Sequence, residues 1–157
     1  MTSSTWAALR AAEPAFAEAV QRRFERYRHH VLATLRKDGS PRLTGLEVNF
    51  RFGEPWLGMM PGSLKARDLA RDPRFALHAN PGPGDSMDGG DVRISGRAYE
   101  VTEPEAKARF VAEVEPPEPF QLFRIELQEV LRTSVEGDEL VLRSWGPGGA
   151  LRTRRRR

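Results

Sequence analysis

The stretch of this 157-residue chain best suited to chemistry is Pro61-Gly62-Ser63-Leu64-Lys65-Ala66-Arg67. Ser63 is a good helix N-cap, and Gly62 before it lets the backbone approach a ligand closely. The first helical turn that follows has free N–H groups and the positive end of the macrodipole, which together favour an anion. Acidic side chains usually exploit such a turn, but here Lys65 and Arg67 occupy it. A bound phosphate would pair with both cations and with the backbone donors. Alternatively, two long side chains simply reach into solvent. The residues alone leave both readings open.

Other chemistry has less support. The histidines are His29, His30 and His78. The first two are adjacent and would point to opposite faces of a strand. No His/Asp/Glu set has ligand spacing and there is no cysteine, so no metal site and no disulfide is expected. No serine sits in a nucleophile elbow. Asp88 and Asp91 flank Gly89-Gly90 and read as a solvated turn. His29, His30 and Tyr99 read as packed or satisfied polar residues, and Trp6, Trp56 and Trp145 as core or dimer contacts. No catalytic residue is assigned.

The elements that must position the 61–67 stretch follow from periodicity. Phe16, Val20, Phe24 and Tyr27 mark one face of a helix over 13–27. From His30 the period falls to two, with Val31, Ala33 and Leu35 alternating. Asp38-Gly39 predicts a hairpin turn, and the returning strand from Pro41 ends with Leu46, Val48 and Phe50 in alternation. Leu43 is out of phase with that set, which predicts a β-bulge at Gly45. A third strand over 56–60 precedes a helix over 63–71, stopped by Asp72-Pro73. Further strands are expected over 75–79, from 92 to 98, from 123 toward 135 and over 140–145, with a long loop over 80–90. Thr102-Glu103-Pro104-Glu105 has capping-box spacing and opens another helix. Six or seven strands joined mainly by tight turns, with three helices, predict a mainly β, antiparallel, closed or partly closed barrel. The divisions are 1–28 as a helical segment packing on the barrel, 29–146 as the barrel, and 147–157 as a flexible arginine-rich tail.

Hydrophobic residues make up 39% and charged residues 30%, an ordinary balance for one globular domain. The net charge is +3, but Arg152 and Arg154–Arg157 supply five positive charges, so the rest of the chain stands at −2. A basic binding face would cluster its cations within the fold, among aromatics. Nucleic acid is therefore not the expected partner, and the tail reads as a solvated end. No apolar run approaches the roughly 20 residues of a membrane span, and the N-terminus lacks signal-peptide character. A cytoplasmic location is the expectation.

Several segments carry a resemblance to a known family. They are Leu32-Ala33-Thr34-Leu35-Arg36-Lys37-Asp38-Gly39-Ser40-Pro41-Arg42, the 61–67 stretch, Asp72-Pro73-Arg74-Phe75-Ala76-Leu77, and the ending Leu140-Val141-Leu142-Arg143-Ser144-Trp145-Gly146-Pro147. In order and spacing the chain resembles the pyridoxamine 5'-phosphate oxidase-like FMN-binding split-barrel superfamily, including its flavin/deazaflavin oxidoreductases. The resemblance implies a mainly β, six-stranded antiparallel split β-barrel that forms a homodimer with a cofactor, FMN or the deazaflavin coenzyme F-420, at the subunit interface. It matches Arg42 and Lys65 to phosphate-binding positions, with Ser63 beside them. Leu43, Thr44, Gly45 and Leu46 match strand positions that pass the ring system by backbone contact, and Met59 and Met60 match the strand end beside the ring. Arg67 joins this set on charge and helical placement alone.

The departures are as informative. The oxidase proper has basic residues where this chain has Leu64 and Glu47, and an amide near Asp91. It also has a C-terminal Arg-x-His motif, which is missing here. Oxidation of pyridoxamine phosphate is therefore not the expected reaction. The expectation is a flavin- or deazaflavin-dependent oxidoreductase moving a hydride to or from a small organic substrate. The alternative is a non-catalytic flavin- or haem-binding or storage protein.

Overall fold

A computed structural model describes residues 3–83 and 89–157. Two N-terminal helices, α1 (Trp6–Ala12) and α2 (Pro14–Glu25), precede strands β1 (His29–Leu35), β2 (Pro41–Arg51) and β3 (Glu54–Met59). Helix α3 (Leu64–Arg71) leads to β4 (Arg74–His78) and β5 (Asp91–Glu100). Helix α4 (Pro104–Val114) is followed by β6 (Gln121–Glu136), β7 (Glu139–Trp145) and β8 (Arg152–Arg156). Neighbouring strands run β3-β2-β1-β4-β5-β6-β7-β8, all antiparallel, and a further β3–β6 pairing closes the first six into a barrel. The mainly β split barrel expected from the sequence is thus the architecture, extended by two strands beyond β6.

The interior is filled by two clusters of buried side chains. Trp6, Leu9, Phe16, Val20 and Phe24 bring α1 and α2 against Leu32, Leu46, Phe50 and Leu57 of the strands. Trp6 meets Phe50 edge-on at 5.2 Å between ring centroids. Each such side chain, once buried, contributes about 1.5–3 kcal/mol. A smaller cluster of Trp56, Val101, Phe110 and Leu122 lies beneath α4. Trp145 belongs to the main core, so all three tryptophans are buried.

Strand phase differs from the sequence reading in one instructive way. The inward set on β1 is His30, Leu32 and Thr34, and the apolar alternation of Val31, Ala33 and Leu35 faces outward. The β1–β2 register runs unbroken from His29↔Glu47 to Leu35↔Pro41, so the bulge expected at Gly45 is not there. Leu43 is out of phase because it points outward, 71% exposed. The irregularity falls instead between Ser95 and Gly96 of β5, where β6 carries the extra residue Gln128. A bulge bends a strand. Here it separates the part of β6 that closes on β3, residues 121–124, from the part over 130–136 that carries β7.

Three other expectations are corrected. The capping box at Thr102 does not form, because the N-cap is Glu103 and makes no side-chain bond. An additional helix, α1, begins at Thr5, whose hydroxyl accepts from Ala8 N–H at 3.1 Å. The arginine-rich end is not a loose tail, since Arg152–Arg156 pairs with β7 from Leu140↔Arg156 to Ser144↔Arg152. Asp91 opens β5 opposite Thr133, and Asp88 lies outside the described residues.

Two predictions follow from the packing. A Cβ on Gly96 would lie 1.9 Å from the Glu126 carbonyl oxygen, and backbone cannot yield as a side chain can. Gly96→Ala should therefore lose about 3 kcal/mol in chemical denaturation, and a loss within error would show that the bulge has slack. His30 is 2% exposed, and its Nδ1 accepts from Asn80 N–H at 2.9 Å. Burial holds it below the ordinary histidine value of 6.5, with the carbonyls of Phe24 and Tyr27 opposing in part. The native state keeps this ring neutral, so its contribution is complete above that value and lost as pH falls through the lowered one. The denaturant midpoint should drop on acidification below pH 6.5, and His30→Gln should flatten that drop.

Candidate functional site

Helix α3 is built as the 61–67 stretch suggests. The Ser63 hydroxyl accepts from Ala66 N–H at 3.3 Å, capping the helix. Gly62 takes φ +67°, a left-handed conformation that suits glycine. Its N–H donates to Gln121 Oε1 at 2.8 Å, so that donor is already engaged. Ala66 and Leu69 are buried against the barrel while Leu64 and Arg67 stay exposed. The Arg67 side chain makes no hydrogen bond or ion pair among the described residues.

The helix grips β2 at two points one turn apart. Lys65 Nζ donates to the Gly45 carbonyl at 3.1 Å, and burial pushes its ammonium below the ordinary lysine value. Three residues on, Asp68 is 3% exposed and accepts from Arg42 Nε at 2.7 Å. The same Oδ2 accepts from the Thr34 hydroxyl at 2.7 Å, and Oδ1 accepts from Arg71 Nη2 at 3.0 Å. Arg71 Nη2 also donates to the Leu35 carbonyl at 2.6 Å. Burial alone would raise the Asp68 carboxyl, but the bonds from Arg42, Thr34 and Arg71 hold it below the usual carboxylate range. Arg42 and Arg71 thus share one carboxylate, and Lys65 lies one turn before it on the helix, so positive charge is in excess along α3.

Beside this cluster β2 has an open edge. It pairs with β3 only over 48–51, so on that side Pro41–Glu47 meets no strand among the described residues. Leu43, Thr44, Gly45 and Leu46 all lie on this run, where Lys65 of α3 reaches the Gly45 carbonyl. Thr44 Oγ1 is buried with no hydrogen-bond partner. Leu46 and Met59 have core side chains, at 5% and 6% exposure, whereas Met60 is 78% exposed just before the helix. Arg42, Leu43, Thr44, Gly45, Ser63 and Lys65 are thereby brought into one region, with Met60 and Arg67 at its exposed rim. Met59 and the Leu46 side chain are turned into the core.

Thr34, Asp68 and Arg71 are members of this cluster that the sequence reading missed. A signal existed for one of them. Asp68 lies on the apolar stripe of α3 between Ala66 and Leu69, where an unpaired carboxylate would be costly. Among the described residues no group of three or more His, Cys, Asp or Glu gathers to hold a metal.

Removing the carboxylate tests how far the cluster supports the fold. Asp68→Ala leaves the Arg42 and Arg71 guanidiniums facing a buried gap and should cost about 3–5 kcal/mol in denaturant unfolding. A cost under about 1 kcal/mol, typical of an exposed pair, would show the network to be dispensable.

The fold has many solved relatives. The chain is similar to PhzG from Burkholderia lata 383, solved with tetrahydrophenazine-1-carboxylic acid, at 15% identity and a TM-score of 0.62 over 95% of this chain and 91% of that one. It is similar to Campylobacter jejuni ChuZ at 11% identity and a TM-score of 0.63, covering 86% of this chain and 61% of that one. A heme binding protein from Mycobacterium smegmatis matches at 19% identity and a TM-score of 0.54, over 87% and 57% of the two chains. At these identities the likeness establishes the shared fold. No curated protein matches the sequence significantly. The sequence model of pyridoxamine 5'-phosphate oxidase matches residues 16–134, a span running from α2 through both strands and the helix of the cluster. On that match, the chain belongs to the pyridoxamine 5'-phosphate oxidase family.

Proposed function

We propose that the chain is an oxidoreductase that holds a phosphorylated flavin or deazaflavin between the open edge of β2 and the start of α3. The observation that carries this reading is the meeting of the β2 edge that β3 does not reach, from Pro41 to Glu47, with an excess of positive charge at Arg42, Lys65 and Arg71. A phosphate monoester needs charge-assisted donors, and a fused ring with polar edges needs backbone N–H and C=O groups. Both kinds of partner lie side by side. Arg42 would offer the guanidinium N–H groups not used by Asp68, and Lys65 its remaining ammonium protons. Arg67, exposed and unpaired, would add charge from the rim. Thr44 Oγ1, buried without a partner, is a polar group that bound cofactor or water would satisfy.

When bound, the flavin or deazaflavin ring supplies the hydride chemistry. The chain's own residues anchor the phosphate, align the ring against β2 and exclude water with the β-sheet wall. This division of labour accounts for a site with no evident acid–base pair. The outward apolar positions Val31, Ala33 and Leu43, with Val31 43% and Leu43 71% exposed, support a homodimer that covers this face. Hydride transfer to a small organic substrate fits the reading. The heme binding protein of the same fold keeps a non-catalytic binding role as the competing reading. That reading expects bound pigment with no reduction by NADPH or a deazaflavin donor.

The decisive measurement is mass spectrometry of the small molecule released from freshly purified protein, followed by titration of stripped protein with FMN and with F-420. Lys65→Ala should weaken binding of whichever cofactor is found by about 1–3 kcal/mol, the range for a lost charged hydrogen bond. Unchanged affinity would remove the phosphate clasp from this location.

A further inference from the structure

The eight-stranded sheet ends at β8, so one edge of that strand has no strand beside it among the described residues. All five of its residues are exposed. Strand alternation sorts the arginines onto two faces. Arg155 lies opposite buried Val141 and donates to Glu136 at 3.2 Å, the carboxylate that also accepts from Arg143 at 3.0 Å. That face is internally compensated. Arg152, Arg154 and Arg156 stand on the other face, opposite Ser144, Leu142 and Leu140, and their side chains form no hydrogen bond or ion pair among the described residues. Residues two apart on a strand are roughly 6.8 Å apart. Three uncompensated guanidiniums therefore form a regular comb along an open backbone edge. Val135 and Leu140, 55% and 37% exposed, share a row with Arg156 on that face.

Charge on an edge strand commonly serves to prevent edge-to-edge association. The comb does exclude a second copy of β8. Antiparallel self-pairing centred on Arg154 would set Arg152 against Arg156, and like charges directly opposite are destabilising. It does not exclude an anionic strand. We propose that the free edge of β8 is a docking site for an extended acidic segment of another protein. Such a segment would pair through its backbone and set Asp or Glu at alternate positions against Arg152, Arg154 and Arg156.

Three features favour a peptide over other polyanions. An open strand edge offers N–H and C=O groups in the alternating pattern that another peptide backbone satisfies. An added strand shares the period of β8, so acid and arginine stay in register along its length. Among the described residues the side chains bordering the comb include no exposed aromatic, Trp145 being 5% exposed, so they offer no stacking platform of the kind that single-stranded nucleic acid uses. This inference stands independently of the flavin reading.

Fluorescence anisotropy on the full chain tests it with a labelled peptide alternating Glu and Thr. Three competitors set the comparison: the same composition with all Glu in one block, the alternating peptide N-methylated at every second amide, and oligo(dT). The alternating peptide should bind, more weakly as salt rises, and about tenfold more tightly than the block or N-methylated forms. Arg152→Gln/Arg154→Gln/Arg156→Gln should lose about tenfold, while Arg155→Gln keeps nearly full affinity. These exposed substitutions should leave the melting temperature unchanged. Equal binding of the block or N-methylated peptide would reduce the comb to unspecific charge and overturn the proposal. Tighter binding of oligo(dT) would identify nucleic acid instead. Amide protection of β8 that grows with protein concentration would show that another copy already covers the edge.

Discussion

The buried carboxylate of Asp68 is the contact on which the arrangement around α3 depends. It takes hydrogen bonds from Thr34 on β1, Arg42 on β2 and Arg71 on its own helix. A buried charge is tolerated only when paired and fully hydrogen-bonded. Asp68 satisfies that condition by joining two strands to one helix. Arg71 carries the link further, to the Leu35 carbonyl at the end of β1. The geometry of the proposed clasp follows from this. With Asp68 holding Arg42 and Lys65 held at Gly45, the start of α3 is fixed beside the stretch of β2 that β3 does not reach.

That open stretch is itself a consequence of how the barrel closes. β3 pairs with only the far end of β2 and then turns to β6, leaving the near end of β2 paired with β1 alone. The bulge at Ser95/Gly96 lets one long strand serve two partners, because bending β6 directs its first part to β3 and its second to β7. Barrel closure and sheet extension are thus two results of the same irregularity, and Gly96 admits the close backbone approach that it requires.

Charge is distributed in keeping with this division. The cluster at α3 concentrates cations around a single buried acid, where low accessibility strengthens each interaction. The surplus of the chain as a whole lies in β8, on the added part of the sheet and outside the closed barrel. One set of positive charges is fixed by hydrogen bonds in a partly buried niche, and the other is presented in an exposed row. A single net charge for the protein conceals two separate electrostatic features.

By itself the sequence determined what depends on neighbours along the chain. The Asp38-Gly39 turn, the Ser63 cap, the α3 span and most strand positions were legible, because turn chemistry and side-chain period act over a few residues. The ordered segments also placed the chain in its family, which the match over 16–134 bears out. Tertiary structure decided which face of each strand points inward. Val31, Ala33 and Leu35 look like a core stripe, yet they face outward, since Leu32 joins Phe24, Leu9 and Phe50 in the buried core. It also decided that the slip sits at Gly96 and that Arg152–Arg156 becomes a strand, because both depend on pairing with distant residues of β6 and β7. The cations and the capped helix start of 61–67 could be read from the sequence, but only folding brought Arg42, Thr34 and Asp68 beside them. Period and capping are local properties, whereas a buried ion pair exists only once separate elements exclude water together.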